Sequence, residues 1–276
     1  MLKRTLCLLW FFAAFAQAEL VGEWHFEGDT LDSSGNNILS EDLGNIPLTY
    51  IERDGQEAAY FDDESYVAID FAYDTPQEAM SVSLWFNTTY DEVYTSWAEE
   101  IANWSLIDFD RTDYYNLSLT SDGRLDLGIT FITSGSTIDY ITEEAYNDGD
   151  WHQTVITYGE DGGLQIFVDG DLIISDIYQG AFGKTGSVRY GIIGDGSEAE
   201  TYDGSRNYHY YEGAIDNIAL YDNELSLTEV ESLFATDSLA AVPSPFIGAS
   251  TLFLTLLFRF WGRKENTQPQ GGGMTR

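Results

Sequence analysis

Asp216 stands in the segment Gly213-Ala214-Ile215-Asp216-Asn217-Ile218, in step with Ile218 and Leu220 if the strand alternates regularly, so its carboxylate is expected on a partly buried face. An unpaired buried carboxylate is costly, and counter-charges are scarce: 12 Lys+Arg stand against 47 Asp+Glu. A cation is the expected partner. Ca²⁺ takes about six to eight oxygens from carboxylates, amides and carbonyls. Glu27, Asp32 and Asn36, in the opening segment, can supply them, so the four residues form the candidate calcium site. The other reading is that Asp32 caps a turn and Asp216 accepts backbone N–H bonds.

A second acidic group is Asp108, Asp110 and Asp113, which could hold an ion at a rim but reads more simply as a solvated loop in so acidic a chain. Glycoside hydrolysis with retention needs two carboxyl groups about 5–5.5 Å apart. The string Glu52-Arg53-Asp54-Gly55-Gln56-Glu57 has three acids at suitable spacing, but Arg, Gly and Gln between them read as a turn. The three histidines, His25, His152 and His209, have no companions at metal-ligand spacing, and no nucleophile triad can be assembled. The expectation is a protein that is not an enzyme. Binding is what remains. The chain has 18 Tyr, 7 Trp and 16 Phe. Aromatic rings beside carboxylates and amides hold sugars, the ring stacking on the apolar face and the polar groups meeting the hydroxyls. The candidate ligand residues are Tyr94 and Trp97, in the loop from Thr89 to Glu100, and Tyr208 and Tyr210, in the run from Tyr202 to Tyr211.

The formal net charge is -35, and half of the basic residues (Lys3, Arg4, Arg259, Arg263, Lys264 and Arg276) lie at the ends, so the body is more acidic still. Such a body repels phosphate backbones and anionic headgroups, which excludes nucleic-acid binding as a main role and favours cations and neutral ligands. Disorder is a poor reading, since 43% hydrophobic residues can fill a core. Residues 1–18 read as a signal peptide: Lys3 and Arg4, an apolar run from Leu6 to Ala16, then Ala16-Gln17-Ala18. Cys7, the only cysteine, lies within it, so the mature chain has no disulfide. Residues 237–245 form a linker, 246–261 an apolar transmembrane or sorting helix, and 262–276 a polar basic tail. The expected location is secreted or at the cell surface.

Between the termini, short alternating segments recur between turns. Val82, Leu84 and Phe86 share a face; Leu117 and Leu119 alternate with Asn116 and Ser118; a turn at Ser121-Asp122-Gly123 leads into Arg124 to Ile129. A second hairpin system runs from Thr154 to Ile174 through Gly162-Gly163 and Asp169-Gly170. The pattern predicts an all-β, antiparallel two-sheet sandwich of a dozen or so strands. One short C-terminal helix is expected where Ser226-Leu227-Thr228-Glu229 forms a capping box, with Leu227, Val230, Leu233 and Phe234 on its apolar face.

Over residues 19–236 the order of several short motifs resembles a laminin-G-like domain of the concanavalin A-like lectin/glucanase superfamily. They are Trp24-His25-Phe26-Glu27 with Asp32-Ser33-Ser34-Gly35-Asn36, Ala59-Tyr60-Phe61-Asp62, Asp148-Gly149-Asp150-Trp151-His152, Phe167-Val168-Asp169-Gly170, and Gly213-Ala214-Ile215-Asp216 before the capped helix. The resemblance implies a jelly-roll sandwich, a structural calcium joining the opening segment to the last strand, and a glycan, matrix polymer or envelope protein as partner. It also puts the 52–57 string in a loop. The C-terminal Val242-Pro243-Ser244-Pro245, apolar run and basic cluster resemble a PEP-CTERM sorting tail, with Ser244 where glutamate is usual.

Overall fold

The computed structural model describes residues 18–62, 64–70, 77–91, 104–109, 115–132, 134–182, 191–196 and 210–240. Fifteen strands and one helix are present among them. One eight-stranded sheet has the order β13(Asp171–Asp176), β12(Gly163–Val168), β11(His152–Gly159), β6(Met80–Asn87), β15(Gly213–Tyr221), β4(Gln56–Phe61), β3(Thr49–Arg53), with β1(Leu20–Trp24) also on β15. The facing seven-stranded sheet has the order β10(Ser136–Ala145), β9(Arg124–Phe131), β8(Tyr115–Leu119), β7(Trp104–Asp108), β14(Gly191–Ile193), β5(Val67–Ile69), β2(Ser40–Asp42). All pairings are antiparallel, as the alternation predicts.

The core lies between the sheets. Val82, Leu84 and Phe86 of the first sheet meet Leu117, Leu119, Leu125, Leu127 and Ile129 of the second, all buried. Turn chemistry sets the register. Asp54-Gly55 and Asp169-Gly170 each close a two-residue hairpin with both residues at positive φ (54° and 88°, 52° and 84°), the geometry that Asp-Gly adopts at little cost. The string Glu52 to Glu57 is therefore a hairpin: Glu52 is on β3, Asp54 in the turn and Glu57 on β4, so the three carboxylates do not line one strand.

α1(Leu227–Ala240) packs on the outer face of the larger sheet. Its capping box is made: Ser226 N donates to Glu229 Oε2 (2.8 Å) and Glu229 N to Ser226 Oγ (3.4 Å). Val230 and Leu233 join Val155, Phe167 and Leu225 in a second small core, and Phe234 stacks on Trp85. Leu227, expected on the apolar face, is 54% exposed, because the buried stripe begins one turn later. Among the described residues no helix is long and apolar enough to cross a membrane. Residues 1–17 of the expected signal peptide 1–18, the expected helix at 246–261 and the tail beyond it lie outside the described residues.

Candidate ligand-binding rim

Asp216 is buried, as expected, but on the opposite face from Ile218 and Leu220. A β-bulge between Asp216 and Ala219 resets the alternation: Asp216 is opposite Trp85, Leu220 opposite Val82, and Asn217 takes a φ of 47°. Asp216 Oδ2 accepts from Arg53 Nη1 at 2.6 Å, and Oδ1 accepts from Asn217 N at 2.8 Å. The guanidinium lies 4.1 Å from the Trp85 ring centre and 5.0 Å from that of Trp151. Burial pushes the Asp216 carboxyl up to about 6, against the downward pull of Arg53. The scarce counter-charge is thus found within the chain.

The other expected calcium ligands are occupied with closing the opening segment. Asp32 accepts from Glu23 N (3.1 Å), Ser34 N (2.9 Å) and Ile38 N (2.9 Å), the turn-capping alternative. Asn36 Nδ2 donates to Val21 O (2.8 Å) and Leu20 O (3.1 Å). Glu27 takes Gln56 Nε2 (3.0 Å) and Glu57 N (3.2 Å). Among the described residues no three His, Cys, Asp or Glu side chains gather closely enough to hold an ion. Glu27, Asp32 and Asp216 are thus not gathered as one set, and Asn36 meets the opening strand through its Nδ2.

Of the expected ligand residues, Tyr94, Trp97 and Tyr208 lie outside the described residues, and Tyr210 is half-buried. What the structure supplies is the common base of their two loops. β6 ends and β15 begins side by side, Asn87 opposite Ala214. Thr88 Oγ1 donates to Glu212 O (2.6 Å), and the Tyr211 hydroxyl lies 2.9 Å from Asn87 O. The β10–β11 connection joins the same end: Gly149 N donates to Thr88 O (3.0 Å) and Asn147 Nδ2 to Tyr90 O (3.0 Å). Residues 87–90 and 211–214, far apart in sequence, therefore meet at one rim.

The smaller sheet carries rows of polar side chains, most of them buried. Register aligns Ser105, Ser118 and Asp126 in one row, and Asp108, Asn116 and Gly128 in the next, with Asp139 beyond. Asn116 Nδ2 donates to Asp108 Oδ2 and to Ser105 Oγ, both at 2.9 Å, while its Oδ1 is buried with no hydrogen-bond partner among the described residues. Asp108 thus belongs to an amide–hydroxyl network within a strand, and its companions Asp110 and Asp113 lie outside the described residues. The alternation of Asn116 and Ser118 with Leu117 and Leu119 was the sequence signal for this belt. The register that brings Asp126 beside Ser118 comes from the β8–β9 hairpin, whose turn at Ser121-Asp122-Gly123 is legible in the sequence.

A laminin-G-like family model, described as the concanavalin A-like lectin/glucanases superfamily, matches residues 61–231. The chain belongs to this superfamily. Its sandwich is similar to the binding domain of Paraclostridial Mosquitocidal Protein 1 (TM-score 0.59, 18% identity, covering 79% of this chain and 52% of that one). Domain 4 of AbnA, a GH43 extracellular arabinanase from Geobacillus stearothermophilus solved with arabinotriose, is matched over 79% of this chain and 99% of its own (TM-score 0.58, 19% identity). The botulinum neurotoxin serotype G binding domain follows (TM-score 0.57, 15% identity, covering 80% of this chain and 51% of that one). The chain spans about half the length of the two toxin domains. No protein of curated function matches it significantly. At these identities the likeness establishes the fold, and the neighbours are mainly binding domains.

Proposed function

We propose that the protein is an exported, surface-associated binding module with no covalent chemistry of its own, and that it holds an uncharged glycan or matrix polymer at the rim shared by segments 88–103 and 197–212. The observation that supports this reading is the pairing of residues 87–88, where the first segment begins, with residues 211–212, where the second ends; Tyr94, Trp97, Tyr208 and Tyr210 are the ring-bearing residues that the reading assigns to the ligand. Charge selects the class of ligand. Segment 88–103 has four acids (Asp91, Glu92, Glu99, Glu100) and no base, and segment 197–212 has four acids against Arg206. Among the described residues the two Lys/Arg side chains, Arg53 and Arg124, are both paired with carboxylates. A sulfated or uronic chain would meet repulsion, a neutral one would not. Export and tethering rest on the terminal segments.

The test is retention of the protein on immobilised neutral polysaccharides and on sulfated ones. Saturable retention on a neutral polymer, competed by its oligosaccharide, is the expected result. Preference for the sulfated polymer would overturn the ligand class. Failure on all of them would favour an envelope component whose acidic surface only holds ions and water, and release of shortened products would mark a glycosidase.

A further inference from the structure

Both ring nitrogens of His152 face carboxylate oxygens: Nδ1 is 2.8 Å from Asp169 Oδ2, and Nε2 is 3.2 Å from Asp148 Oδ1. An ionised carboxylate only accepts, so both contacts are hydrogen bonds only while both nitrogens carry protons. A neutral imidazole has one N–H and must give up one partner. The ring cannot turn away cheaply, because it is 14% exposed and packs against Phe86 and the edge of Tyr146, at 5.9 and 5.2 Å between centres. The two carboxylates are held unequally. Asp169 opens the β12–β13 turn, and its other oxygen accepts Gln153 N at 2.9 Å, so it is fixed to the sheet. Asp148 is 56% exposed and sits in the β10–β11 connection. The charged and titratable groups facing the ring are Asp169 from that turn and Asp148 and Tyr146 from the connection; β6 presents only the uncharged Phe86.

The connection is strapped to the base of segment 88–103 by Gly149 N to Thr88 O, Asn147 Nδ2 to Tyr90 O, and Asn87 Nδ2 to Gly149 O. We infer that His152 is a proton-operated latch for the rim: when doubly protonated it fastens residues 146–150, and with them the base of segment 88–103, to the larger sheet, and on losing a proton it releases Asp148 and loosens both. The consequence for ligand affinity rests on the binding reading above; the latch itself does not. The hydrogen bond to Asp169 raises the basicity of the ring above its ordinary 6.5, outweighing burial, which lowers it. The latch is therefore closed below the raised value and opens as pH rises through it.

The experiment follows the His152 ring by NMR in the full chain and measures amide exchange of residues 88–90 and 146–150 at pH 6 and pH 9, corrected for intrinsic rates. The expected result is titration above 6.5 and a joint loss of protection of about tenfold at pH 9, with strands β11 and β12 unchanged. His152→Gln, which can serve Asp169 alone, should be loose at both pH values. Asp148→Ala, a surface change that leaves the Asp169 contact intact, should reproduce the loosened connection should His152→Gln fail to fold. Titration below 6.5, or protection indifferent to pH, would overturn the latch. If exchange switches while polysaccharide retention is the same at both pH values, control of affinity is overturned and the latch stands. If nothing is retained at any pH, the binding reading fails instead.

Discussion

The Arg53 guanidinium lies between Trp85 and Trp151 with Asp216 at 2.6 Å, and the pair is almost wholly buried. Removing one partner strands the other charge, so Arg53→Ala should cost about 3–5 kcal/mol, measured by urea unfolding. A loss below 1 kcal/mol would show that water reaches Asp216. Guanidinium at low millimolar concentration should restore part of the loss, since the aromatic walls remain. His25 provides a second residue-scale prediction. Its hydrogen bond to Glu23, against burial, with a further one to Asn217, raises it to about 9. A base raised on folding stabilises fully below its unfolded value, and that gain is lost as pH rises through the folded one. The thermal midpoint should therefore fall between pH 6.5 and 9, less steeply in His25→Gln; parallel curves for the two proteins would contradict the assignment. Asp216 is buried as expected, but on the face opposite to the one that alternation with Ile218 and Leu220 assigned, because of the bulge at Asn217. Its partner was hidden because Arg53 comes from a hairpin 163 residues away.

At the scale of elements, strands and turns were readable wherever the chain obeys a period of two, as in Arg124 to Ile129 and around Asp54-Gly55 and Asp169-Gly170. The bulge at Asn217 defeats that reading. One inserted residue reverses the face of everything before it, and Asn tolerates the positive φ without the signal that a glycine would give. The capped helix shows the same limit. Its start was fixed by Ser226 and Glu229, but which residues it buries depends on the sheet beneath. Leu225→Ala, in the small core under α1, should cost about 2–4 kcal/mol, whereas Leu227→Ala should stay within about 0.5 kcal/mol. Equal losses would mean that α1 sits differently on the sheet.

Over the whole molecule the formal charge of -35 sets the response to solvent. Self-repulsion falls with screening, so the thermal midpoint should rise with NaCl. Because Glu27, Asp32, Asn36 and Asp216 are engaged separately, CaCl₂ at matched ionic strength should add nothing that their substitution removes. A calcium-specific rise abolished in Asp32→Ala would restore the opening-segment site. The fold itself was legible because fifteen short strands repeat one simple pattern. The rim was legible only as two separate aromatic stretches, since nothing local in either announces that Thr88 meets Glu212. The central claim is that these stretches make one binding surface. Its most direct test compares the neutral-polysaccharide affinity of the full chain with that of Trp97→Ala, Tyr208→Ala and a control, Ile177→Ser, exposed just past the other end of β13. The account predicts that each rim variant weakens binding by about tenfold, near 1.4 kcal/mol, while the control binds like the parent. Rim variants that bind like the parent, or a control that loses as much, would contradict it.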